Sequence, residues 1–254
     1  MRAHFRDTHA AGALGVVAVF TALWWLITHL EWVSPVFLPG PGATWTALLE
    51  GLVQGNLAEL LGLTSLRMLY GWGLAAIAGI GLGALIGTSP TLRTWLQPTL
   101  EFMRPLPASA IMPVAIALMG LSPAMVLFVI AFGAVWPVLL ATVHGFASIE
   151  PRLIEVGRVL RMRRATFVWK VGLPHALPDM LGGLRLSLTV SLILAIVAEM
   201  LASQDGLGTA VMQAARAFRS AELFAGVVLL GVLGLLSNSL LALAEQRLLR
   251  WQNP

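Results

Sequence analysis

"EVGRVLRMRRATFVWKVGLP", residues 155–174, carries five Lys or Arg and one Glu in a 254-residue chain that is 58% hydrophobic and only 11% charged. Ordinary soluble domains carry roughly 25% charged residues. With a mean hydropathy of +0.85, this chain reads as an integral membrane protein, and the basic stretch as a loop between two of its spans.

Apolar runs flank the stretch on both sides. A fourth span covers about Pro123 to Phe146, a fifth about Leu181 to Leu201, and a sixth about Leu223 to Leu243. The first runs from Ala11 to Ile27 and reaches about Leu30; its far end, Thr28-His29-Leu30-Glu31-Trp32, has no small-residue cleavage site, so it reads as an uncleaved span and not a signal peptide. The second, about Leu66 to Gly87, carries Gly71, Ala75, Gly79, Gly83 and Gly87 at every fourth position. Such a stripe lets another helix approach closely, although glycine is also simply frequent in membrane helices. The third, in "RPLPASAIMPVAIALMG", is interrupted by Pro105, Pro107 and Pro113. Freed backbone groups at that depth must face protein or water, so Ala108 to Met119 is expected to line a polar path, with Ala108, Ser109, Met112, Pro113, Ile116 and Met119 as its candidates. After the first span, Trp45, Leu48, Leu49, Leu52, Val53, Leu57, Leu60 and Leu61 recur at helical spacing among Glu50, Gln54 and Glu59, which reads as an amphipathic helix on the membrane surface.

Six spans put both ends on one side. Twelve of the 16 Lys+Arg then share it: Arg2, Arg6, Arg93, Arg104, the six from Arg152 to Lys170, Arg247 and Arg250. The positive-inside rule makes the termini and the 148–178 loop cytoplasmic, with Arg67, Arg216 and Arg219 on the other side. A sequence pI near 10.9 is thereby accounted for by membrane orientation, without nucleic acid.

The basic loop has internal order. Ser148 before Pro151 is a helix-start arrangement, and Leu153, Val156 and Leu160 follow at helical spacing opposite Arg152, Glu155 and Arg158. A short amphipathic helix outside the membrane needs cover from its own loop or from a partner subunit.

These residues resemble the permease subunits of ABC importers, whose last large cytoplasmic loop reads Glu-Ala-Ala, three residues, Gly, nine residues, Ile, any residue, Leu-Pro. Glu155 opens the motif here, Val171 takes the Ile position, and Leu173 and Pro174 close it; "EVG" replaces "EAA" and Arg161 replaces the Gly. "FLPGPGATW", "FMRPLPASAIMPVAIALMGLS", "PRLIEVGRVL", "GLPHALPDMLGGLRLSLTVSLILAIVAEML" and "SQDGLGTAVMQAARAF" are similar, in the same order, to blocks of the sulfonate, taurine and nitrate group, over roughly residues 35–250. The resemblance implies an all-α polytopic membrane protein with about six transmembrane helices, the type I ABC importer permease fold. It divides into an N-terminal helix and outer segment (1–62), a permease core (63–245) holding the loop 148–178, and a tail (246–254). It implies a multi-pass protein of the bacterial inner membrane that pairs with a second copy, two cytoplasmic ATPases and an outer substrate-binding protein. Leu153, Glu155, Val156, Gly157, Leu160, Val171, Leu173 and Pro174 would form the ATPase-coupling surface. ATP and Mg would bind the ATPase partner, with no cofactor in this chain. Solutes of the group include sulfonates, taurine, nitrate, bicarbonate and thiamine precursors.

Other chemistry is sparse. Glu199, near the outer end of the fifth span, is costly in lipid unless paired or hydrated, and reads either as part of an outer gate in the solute path or as a structural acceptor. Arg185 lies ~20 Å from it along the same helix, too far to pair. Asn238 is expected to hydrogen-bond between helices. The sequence has no P-loop, no His-Glu-x-x-His and no cysteine, its five His do not cluster, and Ser122 lacks a serine-protease context. Neither catalytic residues nor a metal site are expected. The competing class, a self-sufficient secondary transporter or channel, calls for ionisable residues near midplane, and the central thirds of these spans are nearly free of charge. A scaffold without transport would have no use for the proline-broken third span.

Overall fold

The computed structural model describes residues 2–103 and 107–250, and every regular element among them is helical. The order is α1 (Arg2–His29), α2 (Pro41–Val53), α3 (Leu57–Gly87), α4 (Pro90–Met103), α5 (Ala108–Met119), α6 (Pro123–Ala147), α7 (Pro151–Val159), α8 (Arg164–Phe167), a π-helical turn Val168–Gly172, α9 (Leu173–Ala202), α10 (Leu207–Arg216) and α11 (Ser220–Leu248). Arg104 and Pro105, named above, lie outside the described residues.

The centre is a three-helix stack of α3, α6 and α9. The stripe on α3 meets α6: a Cβ on Gly71 would strike Ile130, one on Gly79 would lie 2.8 Å from Val138 Cβ, one on Gly83 2.6 Å from Thr142 Cβ, and one on Gly87 2.8 Å from Phe146 Cβ. Ala75, between them, is buried. Both sets of numbers rise together, so α3 and α6 are parallel, and the chain must cross back between them. Lipid offers no hydrophobic drive for helix association, so this close van der Waals approach supplies the attraction. On its other side α6 runs antiparallel to α9: Gly145 packs on Ala176, Gly183 on Pro137 and Ala141, and Ser187 Oγ donates to the Ala134 carbonyl at 2.6 Å.

The return crossing is α4 with α5. These helices are bent 90° from one another and pass together as long and apolar enough for one span, with the form of a broken span or a re-entrant loop. Four helices cross unaided by length and composition: α3, α6, the continuous run Arg164–Ala202, and α11. The apolar part of α1, Gly15–His29, is shorter, so about six crossings is reached only with α1 included. Antiparallel to α9, α11 is tied to it by the Arg185–Glu245 ion pair at one end and by Leu192 against Gly234 further along.

Several boundaries differ from the sequence reading. The outer amphipathic helix stops at Val53, and Leu57, Leu60 and Leu61 open α3, so a division after residue 62 falls inside a helix. Gly51 lets Leu57 fold back onto α2, and Leu48 and Leu60 share one cluster with Leu207, Ala225 and Leu229, which keeps the apolar period unbroken across the turn. The amphipathic α4 was not anticipated; its Pro98 sits inside the helix. The fifth span was expected from Leu181 but is helical from Leu173, with Pro174 in its first turn and Pro178 within it. Ser148 caps the end of α6, its hydroxyl donating to the Gly145 carbonyl at 3.2 Å, and Glu150 takes the cap position of α7. Asn238 is exposed and makes no side-chain hydrogen bond among the described residues.

Replacing Gly79 by Leu should therefore lower stability by about 1–3 kcal/mol through overpacking against Val138, whereas Gly73→Leu, on a face with nothing within 4 Å, should be close to neutral. Thermal unfolding of both variants in detergent measures the difference.

Candidate functional site

Two clusters of candidate residues sit at opposite ends of the helical stack. At the end where α6 stops, the predicted coupling residues fall into two groups. On α7, Leu153, Val156 and Leu160 are exposed, as is Glu155, which has no ion-pair partner among the described residues. Gly157 is the one buried residue of α7. Its open side is filled by the chain's own Phe167, which would lie 2.7 Å from an added Cβ, so Gly157 is covered from within the loop and not left free for a partner. Leu173 packs with Phe146, Ala176 and Met180, which makes it an anchor for α9; Val171 is half-buried in the π turn and Pro174 is exposed.

Arg161 takes the residue position that ends the α7 turn. Its N–H bonds the Arg158 carbonyl at 3.0 Å and the Met162 N–H bonds the Gly157 carbonyl at 3.0 Å, a six-to-one closure that requires a left-handed residue. Arg161 has φ +47°. This explains the glycine at that place in the loop pattern, since a side chain there costs roughly 1 kcal/mol or more. The turn forms despite the departure.

At the other end Glu199 is fully buried and satisfied on several sides. Its carboxylate accepts from Thr64 Oγ1 at 2.9 Å, Arg67 Nη1 at 2.8 Å and the Gly208 N–H at 3.0 Å. Thr64 Oγ1 in turn accepts from the Leu207 N–H at 2.9 Å, and Arg67 also donates to the Asp205 carbonyl. Leu207 and Gly208 begin α10, whose own cap residue Gly206 offers no side chain. The first N–H groups of a helix lack internal partners and carry its positive end, so Glu199 and Thr64 cap α10 from two other helices. Gly206 and Gly208 are required there, because a Cβ on either would run into Glu199 or the backbone of α9. Sequence reading missed Thr64, Arg67 and these glycines; the one signal was Arg67, a basic residue on the side that the charge rule leaves poor in them.

Residues 75–250 match the family described as "binding-protein-dependent transport system inner membrane component". The chain belongs to that family. Relatives of the permease include a Bacillus subtilis protein named for aliphatic sulfonates transport, 34% identical over 93% of this chain and 86% of the relative. The taurine transport system permease protein of Escherichia coli is 30% identical over 94% and 89%, and the bicarbonate transport system permease protein of a Synechocystis strain 32% identical over 85% and 81%. Family membership favours the transport-permease reading over a self-sufficient transporter or channel, and the relatives are permeases, not enzymes.

The residues expected along a solute path are divided by the fold. Ser109, Pro113 and Met119 are exposed on α5, Ala108 and Ile116 are half-buried, and Met112 is enclosed with Met68 and Met125. Glu199 is likewise enclosed, so in this conformation it acts as a structural acceptor. Arg67→Met should cost about 3–5 kcal/mol by leaving a buried carboxylate unpaired, and Arg67→Met with Glu199→Gln should recover at least half of that. Thermal unfolding of the single and double variants measures it.

Proposed function

We infer that the permease forms the membrane pathway of an ATP-driven importer for a small anionic or polar solute, of the sulfonate, taurine, nitrate or bicarbonate kind for which its relatives are named. The observation that carries the reading is α7, a short helix with Leu153, Val156 and Leu160 exposed, held to the chain through Gly157 and Phe167. An apolar face outside the membrane is stable only when covered, and a cytoplasmic ATPase is the partner that the loop pattern implies. Leu153, Val156 and Leu160 supply buried area to that partner, and Glu155 supplies a charge for a basic residue on it. ATP and Mg stay with the ATPase, whose closure is transmitted through α7 to Phe167 and so to α9.

The distribution of Lys and Arg supports cytoplasmic placement of the α7 end and of both termini. Two of the basic residues at the opposite end have local reasons to be there: Arg67 serves Glu199, and Arg219 pairs with Glu222 at 2.8 Å. The exposed face of α5, Ser109 and Pro113 above all, lies across from the same face of a second permease copy and lines the path with it. A substrate-binding protein delivers solute at the end that carries α2 and α10.

Leu160→Asp and Glu155→Lys should each reduce co-purification of the ATPase about tenfold or more and lower uptake, with insertion unchanged because neither site is in lipid. Normal docking and normal uptake in both variants would leave α7 a solvated connector.

A further inference from the structure

A cavity of about 550 Å³ opens behind α7, between the α3–α4 corner and the α7–α8 hairpin. Its lining combines the basic Arg93, Arg158 and Arg164 with the apolar Phe146, Phe167 and Val168. No carboxylate lines it. Neither Arg93 nor Arg158 has an acidic partner within 4.0 Å among the described residues. Arg164 spends one N–H on the Thr88 carbonyl at 2.7 Å, and a guanidinium has five. Guanidinium groups gathered in one hollow repel each other until an anion enters, and phosphate fits their forked donors.

The cavity lies where α3 and α6 end and α9 begins, which is the level of a membrane surface. Trp95, on α4, and Trp169, beside Val168, are both exposed there, as interfacial tryptophans are. Resting on the cytoplasmic placement of this end given above, we propose that the cavity binds the phosphate of an anionic phospholipid, with its glycerol and upper acyl chain against Phe146, Phe167 and Val168. The apolar lining distinguishes this source from a free phosphate ion, which would be served by the arginines alone. Because Gly157 and Phe167 line the same cavity, the bound headgroup braces α7 against the end of α3 and makes coupling depend on lipid charge.

The test is titration of the purified full-length chain in neutral detergent with short-chain phosphatidylglycerol, phosphatidylcholine or inorganic phosphate, followed by thermal shift. Phosphatidylglycerol should protect and phosphatidylcholine should not. Arg93→Gln with Arg158→Gln should weaken the phosphatidylglycerol response by about tenfold or more, while Arg93→Lys with Arg158→Lys should keep most of it. Arg152→Gln with Arg163→Gln removes the same charge outside the cavity and should change it by less than about twofold. Protection by inorganic phosphate that disappears in the Gln pair, with none from phosphatidylglycerol, would overturn the lipid as the source. Equal loss in both Gln pairs, or equal protection by both lipids, would overturn the site itself. No uptake or ATPase is involved, so failure here leaves the importer reading untouched, and failure of uptake leaves this binding intact.

Discussion

The structure depends on how closely α3 can approach α6. With glycine or alanine at every fourth residue, the backbone of α3 presses into the ridge formed by Ile130, Val138, Thr142 and Phe146. Because the two helices are parallel, the contact dictates topology: an odd number of crossings must separate them, and the bent α4–α5 pair supplies one. Then α9 packs antiparallel on the free side of α6, through Gly145, Gly183 and Ser187, and completes the core by the same close backbone approach.

The two ends of this stack are built by different physics. At one, Glu199, Thr64 and Arg67 join three helices through charge-assisted hydrogen bonds, with Glu199 and Thr64 fully buried and Arg67 at the margin. A buried ion pair is not in itself a source of stability, since an apolar substitute can do as well. What it gives here is orientation: α10 can start only where its first N–H groups meet Glu199 and Thr64. At the other end α7 is held by a single buried residue. An element so lightly tied can follow a partner, and its attachment through Phe167 and the π turn leads directly into α9.

Much of this was legible in the sequence, and the misses have physical causes. The stripe from Gly71 to Gly87 announced its packing because small residues at a fixed spacing have one geometric consequence; its partner α6 could not be named, since Ile130, Val138 and Phe146 look like any lipid-facing residues. The loop motif located α7, with Arg161 noted as a departure from its glycine, but nothing in one sequence said that the turn would form there regardless or that Gly157 would face Phe167. Glu199 stood out by its cost in lipid, whereas Thr64 and Gly208 are common residues whose role exists only once three helices meet. The α2–α3 break was hidden because both helices bury into one cluster, which preserves the apolar period across Gly55 and Asn56.

The parallel pairing of α3 and α6 is open to a direct measurement in this cysteine-free chain. An added Cβ at Gly71 lies 2.7 Å from Ile130 Cβ and one at Gly87 lies 2.8 Å from Phe146 Cβ, so Gly71→Cys with Ile130→Cys and Gly87→Cys with Phe146→Cys should both cross-link on mild oxidation after small adjustment. The swapped pairs, Gly71→Cys with Phe146→Cys and Gly87→Cys with Ile130→Cys, are separated by about 24 Å of helix and should not. Cross-linking within one chain of the swapped pairs, and not of the matched ones, would contradict the account.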